Sequence, residues 1–233
     1  LIPYVTIFLF GIVVGSFLNV CIYRLPEGES IVKVPSHCMS CGAKLRWFDL
    51  IPLFSWLFLR GRCRQCKAVI SVQYPVVEAV NGILWVAVFL VNGMNGMSVL
   101  YSLMASALLT LSVIDWRTFE IPFGINVFLG VLGVVAVFLE KEEWRSHLIG
   151  AVCVSGVLFV LYLLSKGRAI GGGDIKLMAV SGLFLGAAPT VCAMFIGLVT
   201  GGGYGAYMLI SKKLDRKDHF AFGPFLAFGL AVA

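Results

Sequence analysis

The chain has 233 residues, of which 60% are hydrophobic and only 13% charged, with a formal net charge of +6. Soluble domains carry about a quarter charged residues, so this supply cannot coat a soluble globule of the same size. A basic surplus spread thinly through so apolar a chain also argues against a nucleic-acid binder. The composition reads as an all-α polytopic membrane protein, in which every charge is costly to place in lipid and therefore informative.

Residues 1–23 carry no charge, enough for one crossing at about 20 residues per helix. The segment lacks a basic n-region and a small-residue cleavage site, so it reads as an anchor helix rather than a signal peptide. Because it starts on Leu1, the chain is taken to begin slightly inside its natural start. A polar segment, 24–74, follows. Residues 79–114 are again uncharged, interrupted by Asn92-Gly93-Met94-Asn95-Gly96, which predicts two helices and a tight turn. Residues 121–139 and 148–165 give a fourth and a fifth span. The uncharged stretch after Lys176 breaks near Ala187-Ala188-Pro189 into a sixth and a seventh. The sixth is short and opens on Gly171-Gly172-Gly173, so it need not cross fully. Residues 220–233 open an eighth that is expected to continue beyond the chain. The expectation is about eight transmembrane helices: a first helix over 1–23, a loop domain over 24–74 and a membrane core over 75–233.

With the N-terminus outside, 16 of the 18 Lys/Arg residues fall on the inner side, and only Lys141 and Arg145 lie outside, beside Glu140, Glu142 and Glu143. Basic loops stay in the cytoplasm, so this bias sets the orientation. The inner loop 24–74 holds Cys38-Met39-Ser40-Cys41 and Cys63-Arg64-Gln65-Cys66. Four thiolates at this spacing suit tetrahedral zinc, and a segment with little core of its own gains from a metal clip. Four sulfurs leave no position for water, so the zinc reads as structural. A dithiol switch is the competing reading. His37 is a spare ligand the four Cys make unnecessary, and Cys21, Cys153 and Cys192 read as small apolar packing residues within spans.

Most acidic residues sit in polar loops; Glu78, Asp115, Glu120 and Asp174 lie near span ends. Asp115 ends the apolar run 108–114, and Asp174 follows the three glycines before the sixth span. Both fall at similar depth on the inner side. Glycines beside Asp174 let backbone and substrate approach closely. Two carboxyls that meet share a proton, so that one activates water while the other donates. The alternative pairs Asp115 with Arg117 or Arg168 and makes Asp174 a helix cap. There is no H-E-x-x-H motif, and His37, His147 and His219 all fall outside the expected spans, which disfavours metalloprotease and Ser–His chemistry. The glycine rows Gly11-x3-Gly15 and Gly197-x3-Gly201-x3-Gly205 predict close helix packing.

These residues resemble the type IV prepilin peptidases, and the resemblance runs almost end to end. It is carried by Gly15-Ser16-Phe17-Leu18-Asn19-Val20, Tyr23-Arg24-Leu25-Pro26, the paired CxxC loop, Tyr74-Pro75-Val76-Val77-Glu78, Ile114-Asp115, the GxGD motif in Gly171-Gly172-Gly173-Asp174-Ile175-Lys176, and Phe222-Gly223-Pro224-Phe225. The resemblance implies catalysis by Asp115 and Asp174, with Gly171, Gly173 and Lys176 supporting the motif. It implies cleavage of a basic prepilin or pseudopilin leader after Gly at the cytoplasmic face of a bacterial inner membrane. Methylation of the new N-terminus by S-adenosylmethionine would follow. Members without the four-Cys loop (Cys38, Cys41, Cys63, Cys66) are often peptidases only. Two residues depart from the family pattern: Phe123 stands where many relatives are acidic, and Met39 replaces a common Pro. A peptidase without methyl transfer, a zinc-loop scaffold and a thiol oxidoreductase remain as alternatives. Residues for S-adenosylmethionine cannot be read.

Overall fold

The computed structural model describes residues 1–167, 170–211 and 220–233. Arg168, His219 and the basic segment 212–217, all used in the charge argument, lie outside the described residues. The described residues are helical, without a strand.

Nine α-helices follow in chain order: α1 (Ile2–Arg24), α2 (Phe54–Phe58), α3 (Gln73–Asn92), α4 (Gly96–Thr118), α5 (Phe123–Leu139), α6 (Trp144–Ser165), α7 (Gly172–Leu185), α8 (Ala187–Ile210) and α9 (Gly223–Val232). Apart from α2, which lies in the loop, these eight helices occupy the eight expected apolar stretches. Among the described residues, five segments are long and apolar enough to cross a bilayer: α1, α3, α4, residues Lys141–Ser165 and α8. At 17, 14 and 10 residues, α5, α7 and α9 fall short of the roughly 20 an upright crossing takes. The chain is a multi-pass membrane protein with five such spans among the described residues, fewer than the eight expected.

The chain divides into two compact units, Leu1–Ser106 and Ala107–Ala233, with the boundary inside α4. In the first, α1 lies on α3 along its glycine row. A Cβ on Gly11 would stand 2.7 Å from the Gly82 Cα, and one on Gly15 2.7 Å from the Glu78 Cα. The backbones meet because no side chain separates them. Buried polar groups bridge this seam: Asn81 donates to the Gly11 carbonyl at 2.7 Å and accepts from Ser106 Oγ at 2.8 Å, while the Trp85 indole donates to Ser106 at 2.9 Å. Each donor has found an acceptor, as burial in an apolar bundle requires.

In the second unit, α6 and α7 meet at Gly150 and Gly182, and α8 packs on α9 along Gly197 and Gly201, which face Leu226 and Phe222. Both glycine rows are therefore packing surfaces. His147 corrects one expectation. Helix α6 starts at Trp144, which puts this histidine inside it and buried. Its ring faces Leu183 O at 3.0 Å and Glu140 at 3.2 Å rather than a serine. Of the three cysteines expected to pack in spans, Cys21 is buried, Cys153 half-buried, and Cys192 faces outward.

Candidate active site

Asp115 lies one turn before the end of α4 and is 5% exposed. Its Oδ2 accepts the Gly223 N–H at 2.9 Å. That donor is the first residue of α9, followed by Pro224, whose fixed φ suits the first helical turn. The orphan N–H of a helix start is thus spent on a carboxylate. A Cβ at Gly223 would stand 2.7 Å from Asp115 Oδ2, so with any other residue the carboxylate would have to shift. The C-terminal Phe-Gly-Pro signature had no assigned role from sequence; here it positions Asp115.

Asp174 is the third residue of α7, after the N-cap Gly171, and it accepts a hydrogen bond from the Gly171 backbone. This is half of a capping box, so the helix-cap alternative is realised. It does not use up the carboxylate, which also lines a cavity of about 330 Å³ together with Asp115. Gly173 packs against Ile121, where a Cβ would come within 3.1 Å, while Gly172 is open. The glycines thus keep the mouth of α7 low over the cavity.

The same cavity is lined by Glu120, Asn126, Lys176 and the Phe123 ring. The exposed Lys176 holds its ammonium 5.9 Å from the Phe123 ring centre, over an aromatic face. Asn126 was not singled out from sequence. It is 4% exposed, and its Oδ1 has no hydrogen-bond partner among the described residues; a lone Asn early in an apolar helix was the only available signal. Glu78, by contrast, is part of the other unit. Buried in α3, it accepts the Leu53 N–H at 2.7 Å and anchors the loop.

The loop contains two knuckles of one design. Cys38 N donates to Ala43 O, Gly42 N to Cys38 O, and Leu45 N to Ser36 O; 25 residues on, Cys63 N donates to Ala68 O, Lys67 N to Cys63 O, and Ile70 N to Gly61 O. Gly42 and Lys67 both take positive φ, at 69° and 61°. The Sγ atoms of Cys38, Cys41, Cys63 and Cys66 lie within 4.8 Å of one another, with Cys38 and Cys66 at 3.8 Å. A tetrahedral metal with sulfur bonds near 2.3 Å has sulfur–sulfur edges of about 3.8 Å, so the group can hold such an ion. The backbone N–H groups of Cys41 and Ser40 pull the Cys38 thiol down to about 6. His37 turns to Pro35 O and is not part of the group. Arg24, 8% exposed, ties the loop to α1 by donating to the Ser30, Val34 and Pro35 carbonyls.

Comparison with known proteins bears on both units. Residues 9–92 match the bacterial peptidase A24 N-terminal domain, and residues 102–206 match the type IV leader peptidase family. A protein of Bacillus subtilis named prepilin leader peptidase/N-methyltransferase is 32% identical over 97% of this chain and 92% of its own. One of the same name from Pectobacterium carotovorum is 34% identical over 94% and 88%. Another from Myxococcus xanthus is 36% identical over 90% of this chain but 64% of its own length. No solved structure matches. With two family domains in order and relatives of one name along its length, the chain belongs to the type IV leader peptidase family and is a peptidase with N-methyltransferase relatives.

Proposed function

We propose that the protein is an intramembrane aspartic endopeptidase that removes the basic leader of prepilins or pseudopilins after Gly, at the cytoplasmic face of a bacterial inner membrane. The observation that carries this reading is the convergence of Asp115 and Asp174, 59 positions apart in sequence, on one cavity. In the proposed reaction the ionised carboxylate takes a proton from water as the water oxygen bonds to the scissile carbonyl carbon. The protonated partner donates to the carbonyl oxygen, giving a gem-diol. The carboxyl that took the water proton then passes it to the departing amine while the partner recovers a proton from a gem-diol hydroxyl, so the C–N bond breaks and both carboxyls return to their starting forms. Gly223 N–H holds Asp115 in place, the Gly171 backbone holds Asp174, and Asn126 offers a carbonyl oxygen to a peptide N–H.

The five shown spans are completed to eight by α5, α7 and α9, and the bias of 16 inner Lys/Arg to two outer supports a cytoplasmic site. The four-Cys group is read as a structural zinc site, on the fit of its sulfur spacing. Methylation of the new N-terminal amine follows cleavage; S-adenosylmethionine supplies the methyl group as its sulfonium when bound.

Incubating the purified protein with a prepilin, with and without S-adenosylmethionine, and weighing the product's N-terminus separates the two activities. Leader loss without the cofactor and one added methyl with it are expected. Asp115→Asn or Asp174→Asn, folded and in detergent, should abolish cleavage; a near wild-type rate in either would end the dyad assignment. A cleaved product never methylated would leave the peptidase-only reading, and Cys pairs that cycle to disulfides during turnover would favour an oxidoreductase.

A further inference from the structure

Inside the four-Cys loop, the one-turn α2 has an apolar face that no described residue covers. Phe54, Leu57 and Phe58 stand at i, i+3 and i+4 and are 53%, 69% and 84% exposed, so they share one side of the turn. Trp56 faces inward: its indole donates to Ile70 O at 3.3 Å and lies against Gly61. Trp47 is 78% exposed, in the short 3-10 turn that packs against α2. Exposed aromatic and aliphatic side chains gathered this way mark an interaction surface.

The loop fixes the height of that face. Leu53, directly before α2, donates to Glu78 in the second turn of α3. The start of the loop is held to α1 by Arg24, which donates to Val34 O at 2.7 Å, and where the loop ends Asn19 of α1 donates to Tyr74 O, in the first turn of α3, at 3.1 Å. Both α1 and α3 are among the membrane spans. The start of α2 is therefore tied to a membrane helix near its end, where acyl chains give way to headgroups. Arg46, Arg60 and Arg62 are exposed on either side of it. The whole loop holds eight Lys/Arg against three acids, one of which, Asp49, is paired with Arg64 at 2.8 Å. Aromatic and aliphatic side chains beside arginines are the composition of an interfacial segment on anionic lipid.

We propose that α2 and the preceding turn dock into an anionic bilayer surface. Trp47, Phe54, Leu57 and Phe58 enter the boundary between headgroups and acyl chains, and Arg46, Arg60 and Arg62 meet lipid phosphates. The four-Cys loop is then seated on the membrane rather than suspended above it.

The test uses the full chain in nanodiscs of phosphatidylcholine with or without phosphatidylglycerol. The chain has five tryptophans, so the difference between wild type and Trp47→Phe isolates Trp47. In the anionic discs, Trp47 should be quenched by lipids brominated near the headgroup end of the chain and shielded from aqueous acrylamide. The double variant Leu57→Ser, Phe58→Ser alters only exposed side chains; with unchanged metal content, it should raise acrylamide quenching of Trp47 by about twofold or more as the face loses its grip on lipid. Open access of acrylamide with no bromolipid response would overturn the proposal. So would shielding from both quenchers, which would mean that protein covers the face, or a double variant with unchanged quenching.

Discussion

Replacing Gly223 with alanine adds one methyl group, yet it should disable the site while leaving the fold intact. The new Cβ would stand 2.7 Å from Asp115 Oδ2 and 3.0 Å from its Cγ, well inside van der Waals contact. Asp115 has a short side chain and is buried, so relief means swinging its carboxylate off the Gly223 N–H that holds it at 2.9 Å. A hydrogen bond to a charged group is worth about 1.5–3 kcal/mol. If that held only the reactive geometry, the loss would be about ten- to hundredfold in rate; misplacing a reacting group by about an ångström costs a similar hundredfold. The expected outcome is a fall in kcat of that size with KM little changed, measured on prepilin cleavage in detergent. Gly202→Ala is the control: it sits in α8 with nothing within 4 Å of its Cβ. Activity there should be retained and thermal stability raised by up to about 1 kcal/mol, since alanine favours helix. A Gly223→Ala enzyme with wild-type kcat would refute the claim that α9 positions Asp115.

Asn126→Leu removes a buried acceptor that has no partner among the described residues. Thermal unfolding should shift up by about 1 kcal/mol, while kcat/KM for prepilin falls about tenfold, because the lost group serves only bound peptide. Cys63→Ser, at the most buried of the four sulfurs, should drop bound metal below one per chain by elemental analysis and speed proteolysis within 24–74, with the α5–α7 cavity unaffected. Arg24→Met leaves three loop carbonyls without their donor and should open the loop to hydrogen exchange by about 2 kcal/mol or more. For Cys38 in the metal-free protein, the fold lowers the thiol from 9.0 to about 6. Its stabilising effect is therefore complete above the unfolded value and is lost as pH falls through about 6. Alkylation of Cys38 should show a midpoint near pH 6, whereas a midpoint near 9 would contradict the backbone N–H arrangement.

The helices were legible because charge is scarce: every apolar run long enough to notice became a helix, and the turns at Gly93 and Gly186, both at positive φ, fell where Asn-Gly and Ala-Ala-Pro interrupt the runs. The ends were less legible. Helix α3 starts at Gln73, five residues before the buried Glu78, and α6 starts at Trp144. Partnered polar residues can sit within the first turns of an apolar helix, and hydropathy cannot see the partner. The four Cys and two Asp residues were legible as types at a spacing. Asn126 was not singled out, and Arg24 and Gly223 stood within motifs without a role, since each acts through tertiary contacts: an unmet oxygen at a cavity, a buried guanidinium on three carbonyls, an N–H on a carboxylate.

Both acidic residues at the cavity turn out to be held by the same device. Asp115 takes the N–H of Gly223 at the head of α9, and Asp174 takes the backbone of Gly171 at the head of α7. In each case the donor is a glycine, and in each case a Cβ would press on the carboxylate it serves, at 2.7 Å for Gly223 and 3.2 Å for Gly171. A helix N-terminus offers N–H groups without internal partners, and glycine lets the acceptor come close enough to use one. The two short helices are therefore clamps as much as spans. Their contacts differ by half an ångström, which predicts a graded pair: Gly171→Ala, where Asp174 can give way by a few tenths of an ångström, should lose several-fold in kcat, and Gly223→Ala considerably more. An inverted order would mean that α7, not α9, sets the tighter geometry, and that the more exposed carboxyl is the one whose position limits the reaction.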